Sequence, residues 1–144
     1  MDPEQYEPLP PAMAERWKDF PHWNQSANFA ILVGLVTEEM RHDYARMRLP
    51  ARPEVNQPAG IMHGGVIATL IDSTVVPVVG AGTDSRTMVT ISMTIDYVSA
   101  IRDEDAVCEA WVTRRGRSIV FCRAEVRGAD SGTLCATASL VYKP

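Results

Sequence analysis

The sequence predicts an α+β fold in which an antiparallel sheet of five or six strands wraps around one central buried helix. Three observations carry this expectation. Residues 64–76 are apolar on almost every side (Val66, Ile67, Ala68, Leu70, Ile71, Val75, Val76), and a helix without a polar face belongs in a core. The C-terminal part of the chain reads as a meander of short alternating strands. One face of those strands carries the small residues Cys108, Ala110, Val112, Val120, Cys122, Ala124, Ala136 and Ala138, a patch that lets a helix approach closely.

The elements follow in order. Residues 1–11 are acidic and proline-rich and read as a loose arm. Residues 12–20 form a short amphipathic helix closed by Pro21, so that 1–23 is an arm with a short helix and 24–144 is the domain. A second helix runs from about Asn24 to Leu32, with Phe29, Ile31 and Leu32 as its apolar side and Gly34 as its stop. Leu35–Arg41 and Tyr44–Leu49 make a hairpin turning at His42 and Asp43. Pro50, Pro53 and Pro58 mark an extended loop over 50–62. The buried helix follows and should bend or end near Pro77, which lacks the N–H that the Ser73 carbonyl requires.

After a loop over 80–86, Val89, Ile91, Met93, Ile95 and Tyr97 alternate with Thr90, Ser92, Thr94 and Asp96 in a half-buried strand. Strands over 106–113 and 118–127 flank a hairpin turn, Arg114-Arg115-Gly116-Arg117, and Asp130-Ser131-Gly132 leads into a last strand over 133–142.

Composition narrows the function. At 144 residues, with a 46% hydrophobic and 22% charged fraction, the chain has the size and balance of one globular domain. A net charge of −4 argues against nucleic acid as a partner. No apolar run approaches the roughly 20 residues needed to cross a bilayer, and the acidic N-terminus is the reverse of a secretion signal. The three cysteines, Cys108, Cys122 and Cys135, fall in strand-like runs without zinc spacing, and read as packing residues in a reducing, cytoplasmic setting. No metal or cofactor is expected.

The chemistry concentrates in His63-Gly64-Gly65 and Asp72. Glycines at a helix start leave backbone N–H groups open, and the helix dipole adds positive character there. An oxygen that turns negative during a reaction is stabilised at such a point. Asp72 would be a carboxylate inside the apolar helix, costly unless something uses or satisfies it. Gly64 and Asp72 stand eight residues apart, about 12 Å along the axis. One carbonyl cannot touch both in one chain, so joint action requires the Asp of a second subunit.

Gly60, His63-Gly64-Gly65, Asp72, Thr90-Ile91-Ser92-Met93, Asp96-Tyr97 and the Arg-Arg-Gly-Arg turn resemble the hotdog-fold acyl-CoA thioesterases, nearest the phenylacetate-degradation branch. The resemblance covers roughly residues 24–142. It implies a homodimer, often paired into a homotetramer, with sites at subunit interfaces. It implies that the Gly64 N–H polarises the thioester carbonyl, that Asp72 is nucleophile or general base, and that Thr90 places the water or the acid. It also implies an amide six residues before the histidine, which is Gln57 here, with Asn56 one residue earlier as the alternative.

His63 orients the loop or takes part in the site, and Gly65 and Met62 adjoin the substrate. Met62, Trp17, Trp23 and Phe29 either touch an acyl group or pack the core. Arg114, Arg115 and Arg117 suit the phosphates of coenzyme A, or are simply solvated. A hotdog-fold enoyl-CoA hydratase or dehydratase and a non-catalytic acyl-CoA binding protein are the competing readings.

Overall fold

Six antiparallel strands form one sheet in the order β1-β2-β4-β5-β6-β3. They are β1 Val36–Arg41, β2 Tyr44–Leu49, β3 Val89–Tyr97, β4 Ala106–Arg115, β5 Val120–Gly128 and β6 Leu134–Lys143. The computed structural model describes residues 1–23, 28–83 and 87–144. Helix α3, Gly64–Gly80, lies against one face, chiefly over β2 and β4. Ile67, Leu70, Ile71, Val75 and Val78 from the helix share one buried cluster with Met47, Cys108, Ala110, Cys122, Ala124 and Ala138 from the strands. The small residues are therefore the floor on which the helix rests. Its far side is not sealed: Val66, Ala68, Thr69, Asp72, Ser73 and Val76 are half-buried.

Pro77 neither ends nor interrupts the helix as expected, because α3 continues to Gly80. The last carbonyls of a helix have no N–H ahead of them. Those of Val78 and Val79 accept from Arg115 Nη2 and Nη1 at 2.9 and 3.1 Å. At Gly80 the fold permits no side chain, since a Cβ would stand 2.1 Å from Trp17 Cζ2. Trp17 ends α1 (Pro11–Trp17), shorter than the expected 12–20, and is fully buried against Phe20 and Trp23.

The N-terminal arm is not loose. Tyr6 stacks on Tyr44 at 4.9 Å, Pro8 bridges to Arg41, and the Arg41 guanidinium donates to Glu4 and to the Tyr6 carbonyl. The arm thus covers the outer edge of the β1–β2 hairpin. Helix α2 is Phe29–Val33, capped by Asn28 and closed by Gly34 at φ +82°. The expected start at Asn24 falls in residues 24–27, outside the described residues, as does the 84–86 part of the expected 80–86 loop. The apolar side of α2 is also different from expectation: Ala30 and Val33 pack on the core, while Phe29 and Leu32 are 64% and 74% exposed.

Two of the sheet's four register shifts bear on the site. In β3 the register shifts between Thr90 and Ser92, so Thr90 pairs with Tyr142 while Met93, Ile95 and Tyr97 pair with Leu140, Ala138 and Ala136. Directly paired residues share a face. Thr90 therefore joins Met93, Ile95 and Tyr97 on the helix side, not the outer side with Ser92, Thr94 and Asp96. In β4 the shift between Val112 and Arg114 pairs Arg115 with buried Val120, and so turns Arg115 inward as well. A bulge re-aims the residues beyond it in this way.

Gly80→Ala should lower stability by about 1–3 kcal/mol, the usual cost of an overfilled core. Denaturant unfolding checks this, and an unchanged midpoint would mean that the Trp17 contact is not tight.

Candidate active site

The loop before α3 is held by its backbone. Gln57 N–H donates to the Ile61 carbonyl at 2.8 Å and Gly60 N–H to the Gln57 carbonyl at 2.9 Å, a turn that Gly60 completes at φ +71°. His63 N–H donates to the Val55 carbonyl at 2.8 Å and leaves His63 extended, at φ −68° and ψ 132°. From there the imidazole caps the helix: Nδ1 accepts from Gly65 N–H at 2.9 Å. The carbonyl of the same Gly64–Gly65 peptide accepts from the Tyr97 hydroxyl at 2.9 Å.

With Gly65 N–H engaged by the histidine, Gly64 N–H is the donor left open. It stands at the first helical position and has no acceptor among the described residues. Gly64 lines a cleft of about 350 Å³ together with Gln57, Ile61, Met62, Ile67, Tyr97 and the 98–101 segment. The cleft is mostly apolar and includes the helix's positive end, an environment suited to a carbonyl that acquires charge. Of the two amides, Gln57 lines this cleft, and Asn56 lines a neighbouring hollow with Arg52 and Glu104.

Asp72 sits two turns further on and is half-buried rather than hidden. Thr90 Oγ1 donates to Asp72 Oδ1 at 2.8 Å. The single Tyr142 hydroxyl proton is shared between the same Oδ1 and the Asp72 backbone carbonyl, 2.9 Å away. Oδ2 has no donor among the described residues. Burial first, and then the hydrogen bond to Asp72, hold the Tyr142 phenol above its ordinary range, so it stays protonated and donates.

Tyr142 escaped the sequence reasoning. Its signal was an inward phase on a strand of buried residues, where a phenol needs a partner. The structure unites Asp72 with Thr90, and Gly64 with His63, Gly65, Met62 and Gln57. It does not bring Asp72 to the cleft of its own chain.

The arginine turn departs from expectation. Arg115 is not a free phosphate ligand: besides the Val78 and Val79 carbonyls, its Nε donates to Asp43 Oδ1 at 3.0 Å. The bulge turns it inward, and the carbonyl end of the helix attracts a cation. Arg114 and Arg117 are exposed at that same end, about 24 Å along the axis from Gly64. Trp17, expected to reach either the acyl group or the core, is core. The Cys108 and Cys122 thiols are pushed up to about 12, chiefly by burial, so neither supplies a thiolate.

Comparison with known proteins agrees with this architecture. The thioesterase superfamily matches residues 59–135, and the chain belongs to that family. A protein of Archaeoglobus fulgidus named "Putative esterase" is 25% identical over 132 residues, covering 91% of this chain and 83% of that protein. A conserved protein of Pseudomonas aeruginosa is 28% identical with a TM-score of 0.76, covering 85% of this chain and 98% of that one. The PaaI protein of E. coli, from the phenylacetic acid degradation operon, is 14% identical with a TM-score of 0.80, covering 91% and 94%, and shares the fold. The fold is the hotdog fold, and thioester hydrolysis is the class of activity with which the family is associated.

Arg115→Leu should cost about 1–3 kcal/mol, the range for lost hydrogen bonds to a charged group. The KM for a thioester substrate should stay within twofold. A large rise in KM at unchanged melting temperature would return Arg115 to substrate binding.

Proposed function

We propose that the protein hydrolyses acyl-CoA or aryl-CoA thioesters to the free acid and coenzyme A, as a homodimer or a pair of homodimers. The observation that carries this reading is the layout along β3. Tyr97, at one end of the strand, touches the open helix start at Gly64, and Thr90, at the other end, touches Asp72.

β3 is the last strand of the sheet, and Val89 and Ile91 on it are 55% and 54% exposed. An open apolar edge of this kind is a template for another strand. Antiparallel pairing of two β3 strands about an axis at residue 94 keeps both helices on one face, with 93 opposite 95, and brings residue 97 of one chain beside the bulge at residues 90 and 91 of the other. The cleft of one protomer then lies beside the carboxylate of its twin, and a twofold axis makes two such sites.

In that site the thioester carbonyl accepts from Gly64 N–H. Asp72 of the partner subunit takes a proton from water as the water oxygen attacks the carbonyl carbon. The oxyanion is held at the helix start until it collapses, the C–S bond breaks, and the thiolate leaves with the proton from the carboxyl. Gln57 adds an amide at the cleft wall. No step calls for a metal or a cofactor, and coenzyme A belongs to the substrate.

Release of free thiol from a panel of CoA esters tests the reaction. A hydratase would change enoyl absorbance without releasing thiol, and a binding protein would show only a thermal shift with coenzyme A. Asp72→Asn should lower turnover roughly 10²–10⁴-fold. Gly64→Pro removes the single N–H at a helical position that accepts proline, behind a residue already extended as proline prefers. It should cost about 10²–10³-fold.

The two variants, co-refolded in equal amounts, should recover roughly a quarter of wild-type activity, because each mixed dimer holds one whole site. No recovery would place both groups in one chain and overturn the shared site.

A further inference from the structure

We infer that Tyr142 is a positioning residue for Asp72: with Thr90 it occupies Oδ1, so that Oδ2 alone is presented for reaction. The inference rests on the proposed role of Asp72 in thioester hydrolysis.

The geometry is specific. Thr90 and Tyr142 are direct partners across β3 and β6, so their hydroxyls reach the helix from adjacent points on one face. Both donate to the same carboxylate oxygen. A carboxylate oxygen offers about two acceptor sites, and two donors fill them. The one Tyr142 hydroxyl proton is shared with the Asp72 main-chain carbonyl, so the phenol oxygen is fixed against both the carboxylate and the backbone of that helix. Rotation about the Asp72 side chain would break these bonds. The ring itself is 1% exposed and cannot follow a carboxylate that moves. Oδ2 is therefore held in one direction relative to α3, with no donor to it among the described residues.

A structural role alone would satisfy a buried phenol and no more. Tyr142→Phe separates the two, because it keeps the ring and removes the hydroxyl. Melting temperature, kcat and KM for a CoA ester are measured for wild type, Tyr142→Phe, Asp72→Asn and the double variant, each well below its unfolding midpoint. The expected result is a roughly 10–100-fold fall in kcat for Tyr142→Phe, the scale of loss from a misplaced catalytic group. KM should stay within twofold. In the Asp72→Asn background the second substitution should have no further effect on kcat, since groups that act as a unit are not additive.

A kcat for Tyr142→Phe within twofold of wild type would overturn the inference while leaving the Asp72 role standing. So would a loss that multiplies independently onto Asp72→Asn, or one carried by KM. Full activity of Asp72→Asn would instead remove the carboxylate's role, and this inference with it.

Discussion

A helix that is apolar nearly all round has no wet face to set its rotation, and the few polar groups it carries must be met from outside. That constraint organises this molecule. The Thr69 and Thr74 hydroxyls bond back to α3 itself, and three further polar points face the strands: the glycine peptide at its start, Asp72 in its middle, and the Val78 and Val79 carbonyls at its end. Each is met by a strand side chain: Tyr97 at the start, Thr90 with Tyr142 in the middle, Arg115 at the end. Unpartnered polar groups at buried positions would cost on the order of 1–3 kcal/mol each. The bonds that hold the helix in register are thus the same ones that shape the candidate site. The N–H of Gly64, first in the helix, has no intrahelical acceptor, and the His63 cap takes Gly65 N–H instead.

The two edges of the sheet are treated differently. β1 lies under the N-terminal arm and carries Glu38, Glu39 and Arg41, charges that discourage further pairing. β3 is nine residues long, carries a single charge, Asp96, and is left uncovered among the described residues. The asymmetry leaves one edge available to a second copy, and it is the edge whose two ends touch Gly64 and Asp72.

Much of the architecture was legible in the sequence because it follows from local chemistry. The apolar run at 64–76 announced a core helix, β2 was read to its exact ends, and Gly34 closes its helix with the positive φ that glycine tolerates. The His-Gly-Gly start marked the open end of the helix. Errors arose where a partner distant in sequence decides. Pro77 reads as a break, yet surrounding burial and the Arg115 cap carry the helix past it. Phe29 and Leu32 look like a core face, yet the short helix turns Ala30 and Val33 inward instead.

What only the tertiary structure decided is the direction of a few side chains. Strict period-two reading places Thr90 with the polar residues of its strand and leaves the arginine turn in solvent. One extra residue in β3 and one in β4 reverse the phase beyond them, aiming Thr90 at Asp72 and Arg115 at the helix end. A bulge is set by pairing with a neighbouring strand, here β6 and β5, and so leaves no mark in the residues that contain it. Composition and spacing determined the helix, the sheet and the polar groups along them; long-range pairing decided which groups meet.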